Sequence, residues 1–516
     1  MPALRWDPVA GFDHVERTLA EALALGVGGF IIFGGTASAV ANLTADLARR
    51  AGRPLLFAAD LERGAGQQFE GLCQAPPPGA LGALGDLAAI RRAARVTAAE
   101  ARSVGIGLVL APVADLDVEP ANPIIQTRAF GADPGAVAAA VAAWVEGCRA
   151  GGCHPCLKHF PGHGRTTADS HAMLPVVEAT GEQLAREDLA PFRAGVAAGA
   201  AAVMTAHVRY SSLDGERAAT FSSKVIGLLR EDLGFDGPVV TDALNMAGAR
   251  PPAGVGAGAD TGGERDRDRT TEWQGTGRGD GGRTGNPVEW DPAVAAVMAG
   301  VDLLLYPADL AAAAAALDRA VAAGAIPPAR LAAALARRER VLVPPPAGGA
   351  RPGASREDDH RWSQELADRV LAAPGGEPRG RTERLAPPAR CTVIDDDLGG
   401  PFDPGTTDLI PRALEDSRRR STREGALGGG IVLLFSSPRA WKGRAGLGEK
   451  SLRALGRAVS GPGKVGGGGG GAQLAVLFGH PRLAEQIPTG VPVLVAWHRH
   501  RLMQQAVLRW LEARTR

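Results

Sequence analysis

Between Lys158 and Pro175 the chain reads Lys-His-Phe-Pro-Gly-His-Gly-Arg-Thr-Thr-Ala-Asp-Ser-His-Ala-Met-Leu-Pro. Lys158, His159, His163, Asp169 and His171 crowd this stretch, and Pro161, Gly162 and Gly164 break its backbone. The apolar pair Cys156-Leu157 leads into it. That pattern predicts a strand end opening into a long structured loop, the kind of place where reactive groups are held by a rigid scaffold. Asp169 and His171 are two apart, so in an extended segment their side chains share a face. The carboxylate can then accept a hydrogen bond from one imidazole N–H and leave the other nitrogen for proton transfer. A second reactive group stands at Asp242, directly after the β-branched run Val239-Val240-Thr241. At a strand end such an aspartate points into a pocket, although its local sequence equally suits an N-cap for a following helix.

These groups need a scaffold, and the hydrophobic pattern supplies one. Short apolar runs at 29–33, 55–59, 107–111, 156–159, 202–206, 238–241 and 302–306 alternate with helical stretches at 14–24, 38–51, 87–103, 134–150, 181–198, 222–232, 291–299 and 309–323. Strand–helix alternation at this spacing predicts parallel βαβ units. Seven or eight of them over residues 1–345 predict a (β/α)8 barrel of the TIM type. Asp60, Glu62, Asp115, Asp117, Lys158, His159, His207, Asp242 and Tyr306 follow the apolar runs closely. In a barrel they all open on the C-terminal face, where active sites sit. Residues 250–289 have almost no apolar content and mixed charge, which predicts a disordered insertion. Residues 346–388 read as a linker and a return helix at 357–372. A smaller α/β sandwich domain is expected over 389–516, with strands at 391–394, 431–435, 474–478 and 491–496. Its Gly466–Gly471 run reads as a flexible loop.

Composition sets the outer bounds. A chain of 516 residues suits two domains, and a net charge of +1 gives no electrostatic reason to expect nucleic acid or an anionic membrane as partner. Five cysteines, an odd number, argue against a disulfide scaffold. Neither a signal peptide nor an apolar run of membrane-spanning length is visible, so a cytoplasmic protein is expected.

Lys158 to Pro175 resembles the signature of glycoside hydrolase family 3, in its β-N-acetylhexosaminidase branch: Lys-His-Phe-Pro-Gly-His-Gly, a spacer, Asp-Ser-His and Leu-Pro. The resemblance implies a retaining exo-glycosidase that removes a terminal β-linked N-acetylglucosamine. Such chemistry needs a carboxylate nucleophile and a proton donor. By matching motifs, the resemblance makes Asp242 in Thr241-Asp242-Ala-Leu-Asn-Met the nucleophile and His171, oriented by Asp169, the acid/base. It also implies substrate-binding roles for Asp60 in Ala-Asp60-Leu-Glu62, Arg128 in Asn122-Pro-Ile-Ile-Gln-Thr-Arg128, and the pair Lys158-His159. Asp115 and Asp117 read as structural anchors of the rim. One departure stands out: Gln68 occupies the place of a binding arginine, and glutamine cannot pair with a carboxylate. That weakens the case for a muramic-acid-containing substrate. Within the resemblance a β-glucosidase and a β-N-acetylglucosaminide phosphorylase are alternatives, and outside catalysis a carbohydrate-binding barrel is another. No cofactor is implied.

Two further patterns point elsewhere and are set aside. Cys153-His-Pro-Cys156 has the spacing of a redox dithiol, but it runs into a strand and not into the helix start that activates such thiols. His159 and His163 have the i, i+4 spacing of a helical metal pair, yet Pro161 and Gly162 lie between them, so no metal is expected. Phe435-Ser-Ser-Pro-Arg and Phe478-Gly-His-Pro follow strands of the second domain and suggest a packing or rim role.

Overall fold

The computed structural model describes residues 1–170, 172–249, 290–343, 345, 356–373, 385–388, 390–398, 407–420, 429–438, 442–460 and 471–515. The insertion expected at 250–289 and the glycines at 466–470 lie outside the described residues, as does His171. In the first 250 residues the strands are β1 (Ala3–Arg5), β2 (Gly29–Phe33), β3 (Leu56–Ala59), β4 (Leu108–Val109), β5 (His154–Phe160), β6 (Val176–Val177), β7 (Ala202–Thr205), β8 (Arg209–Tyr210), β9 (Asp214–Ala218) and β10 (Val239–Thr241).

Seven of these form one parallel sheet in the order β1-β2-β3-β4-β5-β7-β10. The ring is completed by residues 301–306, expected as an eighth strand. Val240 bridges Leu303, and the Thr241 N–H donates to Leu303 O at 2.9 Å. From the other side the Met1 ammonium donates to Leu304 O at 2.8 Å, and the Tyr306 N–H to Met1 O at 2.9 Å. Part of the ladder is replaced by a side chain, since Thr241 Oγ1 accepts the Leu305 N–H at 2.8 Å. This explains why an apolar run sits at the eighth position without a regular strand.

Two-residue periodicity sorts the strand side chains into two cores. Ile31, Leu56, Ala58, Leu108, Cys156, Met204, Val240 and Leu303 fill the barrel interior. Their neighbours Phe30, Ile32, Phe57, Val109, Leu157, Val203 and Val239 pack under the helical layer. Both faces are buried, so the strands read as unbroken apolar runs. The helices Ala37–Ala51, Leu87–Ser103 and Pro134–Ala150 start where Thr36, Asp86 and Asp133 cap them by side chain. The last two lie close together because Gly147 and Gly151 carry no Cβ; one added there would sit 2.1 Å from Arg91 O and 2.4 Å from Arg95 O.

One feature of the rim was not expected from the sequence. Strands β6, β8 and β9 form a small separate sheet, in which two-residue strands are too short to show alternation. It ties the segment after Asp169 to the one after β7.

The second unit has four parallel strands in order: β11 (Cys391–Asp395), β12 (Gly430–Ser436), β13 (Ala472–Gly479) and β14 (Val493–Val495). The helix Arg356–Ala372 packs against Arg501–Arg514 of this unit and Pro78–Leu84 of the barrel. Arg482 and His480 reach Asp117 on the barrel rim at 2.6 and 2.9 Å. Asp117 therefore anchors the two units to each other. No helix among the described residues is long and apolar enough to cross a membrane.

Candidate active site

At the C-terminal ends of the barrel strands lies a cavity of about 480 Å³, lined by Asp60, Gln68, Arg128, Lys158, His159 and Asp242 among others. Six residues singled out from the sequence thus share one space. Lys158, at the end of β5 and almost fully buried, sets its ammonium 2.6 Å from Asp60 Oδ1 and 2.8 Å from Glu62 Oε1. Arg128 holds Glu62 with two bonds, Nε to Oε2 at 3.0 Å and Nη2 to Oε1 at 2.8 Å. Burial opposes the charge on Glu62, but Arg128 and Lys158 outweigh it and hold the carboxyl well below its usual range. Burial likewise opposes the Lys158 ammonium, and Asp60 and Glu62 hold it up at about 12. Glu62 is a fixed anion and Lys158 a fixed cation, so neither is a proton-transfer group. Asp60 is the partly open member of the set, with its side chain 28% exposed.

His159 and His163 are organised by Asp115, which is wholly buried. Asp115 Oδ2 lies 2.7 Å from His159 Nδ1, and its Oδ1 accepts the backbone N–H groups of His159 at 3.1 Å and His163 at 2.7 Å. Burial works against the Asp115 anion, but the two histidines and these N–H groups lower its pKa. His163 Nδ1 meets Thr166 Oγ1 at 2.9 Å and Nε2 meets Ser170 Oγ at 3.0 Å. Burial, with His159 beside it, pushes His163 down to about 4, so its ring is neutral. Both its nitrogens are occupied by hydroxyls. Asp115 is thus the structural anchor that the sequence suggested.

Asp242 follows β10 at the cavity wall and accepts the Ala243 N–H at 2.7 Å. No α-helix starts there: residues 244–245 are turn, Met246 is a bend, and Ala247–Ala249 is a single 3-10 turn. The N-cap reading of Asp242 therefore has no helix to cap. Asp169 is buried and Ser170 lines the cavity, while His171 falls outside the described residues. Gln68 is committed differently from an arginine, since its Oε1 accepts the Gly34 N–H at 3.1 Å.

Arg5, Arg63, Gln67, His163 and Tyr306 also line the cavity without having been assigned a binding role from sequence, and Pro438 closes it from the second unit. Arg5 lies over the Phe33 ring at 4.1 Å and donates to the Tyr306 hydroxyl at 3.4 Å. It ends a three-residue strand, too short for any periodicity to show. The dithiol pattern is inert here: Cys153 and Cys156 are buried, and desolvation pushes both thiols up to about 12. That is the opposite of activation.

A parallel barrel with fixed charges and the open carboxylates Asp60 and Asp242 gathered at its C-terminal strand ends is built like a barrel enzyme. Comparison with known proteins narrows the class. The profile of the glycosyl hydrolase family 3 N terminal domain matches residues 12–260. A protein named beta-hexosaminidase from Thiobacillus denitrificans is 40% identical over 255 residues, covering 47% of this chain and 69% of the relative. A glycoside hydrolase family 3 beta-N-acetylglucosaminidase structure from Paenibacillus sp. superposes with a TM-score of 0.72 at 25% identity, over 100% of this chain and 94% of that one. A beta-N-acetylhexosaminidase structure from Beutenbergia cavernae gives 0.51 at 30% identity, over 66% of this chain and 94% of that one. The chain belongs to glycoside hydrolase family 3.

Proposed function

We propose that this protein is a retaining exo-glycosidase that hydrolyses terminal β-linked N-acetylglucosamine. In this reading Asp242 attacks the anomeric carbon and forms a glycosyl ester, while His171, oriented by Asp169, donates a proton to the leaving oxygen. The same imidazole, now neutral, takes a proton from water as the ester is hydrolysed. Asp60, held by Lys158, accepts sugar hydroxyls; Arg128, Gln68 and His159 complete the wall. No cofactor enters the scheme, and a cytoplasmic saccharide substrate is part of the proposal.

The observation that carries it is the position of Asp242. It ends a barrel strand, starts no helix, and shares its cavity with the ordered cluster around Lys158. The relatives' names supply the sugar. Glu62 and Lys158 are fixed in charge and do not transfer the proton; the family resemblance gives that role to His171, oriented by Asp169.

The deciding experiment varies the leaving group in His171→Ala. An aryl N-acetylglucosaminide with a good leaving group needs little proton donation, so its glycosylation step suffers far less than that of a natural disaccharide. Azide, which needs no base, then restores turnover and gives the β-glycosyl azide. Equal losses on both substrates, with no effect of azide, would move the acid/base away from His171.

A further inference from the structure

Away from the cavity, three residues distant in sequence converge on the outer side of the barrel. Cys73 lies in the loop after β3, Glu100 on the helix Leu87–Ser103, and His360 on the helix Arg356–Ala372. The Sγ, carboxylate and ring nitrogen atoms lie within 4.8 Å of one another. Glu100 is only 8% exposed. One of its oxygens accepts the Cys73 N–H at 2.7 Å; the other, Oε1, is buried without a hydrogen-bond partner among the described residues. An orphaned carboxylate oxygen in such a place costs free energy unless something positive meets it.

The neutral partner within reach of this carboxylate is the Cys73 thiol, which hydrogen-bonds to it. Desolvation, then the Glu100 charge, pushes the Cys73 thiol above its ordinary range, and desolvation raises Glu100 as well. Arg356 and His360 act in the opposite direction on Glu100, while Asp359 adds negative charge beside Cys73. Arg92 lies 3.7 Å from that aspartate. His360 also lines a cleft of about 630 Å³ with Leu72, Gln74, Ser363, Arg501 and Leu502, which gives solvent a route to the cluster.

We propose that Cys73, Glu100 and His360 form a zinc site that clips the helix Arg356–Ala372 to the barrel. Thiolate, imidazole and carboxylate together suit a borderline-soft divalent ion and suit calcium or magnesium poorly. Tetrahedral zinc sets such ligand atoms about 3.5 Å apart, a contraction that rotation of the half-exposed His360 side chain can provide. Binding displaces the Cys73 proton to water, and a water or hydroxide takes the fourth position. The role proposed is to hold the helix, although three protein ligands leave the fourth position open, and the site touches the catalytic face through the backbone. Cys73 O accepts the Gly66 N–H at 2.8 Å, and the Ala75 N–H donates to Arg63 O at 2.8 Å. A metal on Cys73 therefore stiffens the loop that brings Arg63, Gln67 and Gln68 to the cavity.

The full chain, stripped with a chelator, is titrated with zinc by calorimetry and with cobalt by absorption spectroscopy. One zinc per chain is expected, Tm rises with zinc and not with magnesium, and the cobalt form shows a thiolate charge-transfer band. His360→Ala sits on a half-exposed helix position and keeps the fold; it weakens zinc binding by more than about a hundredfold, since loss of outer-shell partners alone costs 10–100-fold. Cys73→Ser removes the charge-transfer band. Saturation with N-acetylglucosamine does not displace the zinc, which separates this site from the histidines of the cavity; competition between the sugar and the metal would overturn the proposal. No stoichiometric zinc binding by the wild-type chain, a cobalt spectrum without the thiolate band, or an affinity unchanged in His360→Ala would each overturn the proposal.

Discussion

Among the described residues a buried lysine sits between two carboxylates in both the barrel and the second unit. In the barrel, Lys158 meets Asp60 at 2.6 Å and Glu62 at 2.8 Å. In the second unit, Lys442 meets Asp396 at 3.1 Å and Asp397 at 2.8 Å. Both pairs of carboxylates follow parallel strands. They differ in what surrounds the anions. Asp396 is saturated by Arg444, the Gly448 N–H and the Ser451 hydroxyl; Asp397 takes the Ser437 N–H and Arg499. Their side chains are 3% and 0% exposed. Asp60 is 28% exposed and opens on the cavity. The same ionic pattern is thus closed in one unit and left open in the other. Only the open one is available to a ligand.

The largest effect expected from this contrast is chemical and leaves stability almost untouched. Asp242→Ala should lower turnover of every β-glycoside on the order of 10⁴-fold or more, as loss of a nucleophile does. Its Tm should stay near that of the wild-type chain. Steady-state assays with aryl N-acetylglucosaminides and thermal melts check both halves. A variant that melts early but turns over normally would make Asp242 a scaffold residue.

The paired lysines test the comparison directly. Removing either takes one cation from a cluster that keeps its arginines, Arg128 beside Glu62 and Arg444 and Arg499 beside Asp396 and Asp397. The cost stays below the roughly 3–5 kcal/mol of an unpaired buried charge, and Lys158→Met and Lys442→Met should both melt at lower temperature. Only Lys158→Met should also lose kcat/KM per folded molecule, because Asp60 is then no longer held. If Lys442→Met loses as much activity as Lys158→Met, the closed cluster has a role in the reaction and the contrast fails.

What could be read from the chain tracks how local the determining physics is. Strands that are buried on both faces announce themselves as apolar runs, so β2, β3, β5, β7 and β12 fall where expected. The helix 87–103 is framed by the Asp86 cap and matches to the residue. Lys158, His159 and Asp242 could be found because they follow such runs. Tyr306 could be placed on the rim in the same way, but Arg5 stands at the end of a segment held by chain closure, in which Met1 and Leu304 pair across about three hundred residues; no window contains that information. The rim sheet of β6, β8 and β9 fails for the same reason. Cys73, Glu100 and His360 carry no metal-ligand spacing at all, and only folding brings them together. The N-cap alternative for Asp242 shows the opposite limit: local sequence allowed it, and the turn that follows excludes it.

A smaller effect should appear as pH dependence. His163 has a folded pKa of about 4 against an ordinary 6.5, because burial disfavours the imidazolium. The unfolded chain therefore binds the proton first. The neutral ring's contribution is fully present above pH 6.5 and is lost as pH falls toward 4, with about 3 kcal/mol between the two limits. Glu62 and Asp115, with lowered pKa values, lose their contributions at still more acid pH. His163→Asn should flatten the slope of stability between pH 6.5 and 4 and leave the more acid limb in place. Urea melts across that range measure it, and an unchanged slope would assign the loss to another group.

The smallest effect concerns which saccharide the open cluster prefers. Gln68 stands where the motif resemblance expects a binding arginine, and its Oε1 accepts the Gly34 N–H at 3.1 Å. Gly34 is only half-buried, so water can replace that acceptor and Gln68→Arg should cost less than about 1 kcal/mol in stability. Arg63 already lines the same cavity, so a cation is not wholly missing from this wall. The new guanidinium should therefore raise kcat/KM for a carboxylate-bearing muramyl substrate only roughly tenfold, the scale of one solvent-exposed charged hydrogen bond. A neutral aryl N-acetylglucosaminide should change little. Arg63→Gln should act in the reverse direction on the same pair of substrates. Should both substrates respond equally to both variants, neither position meets the charge of the aglycone, and the open side of the cluster selects on the sugar alone.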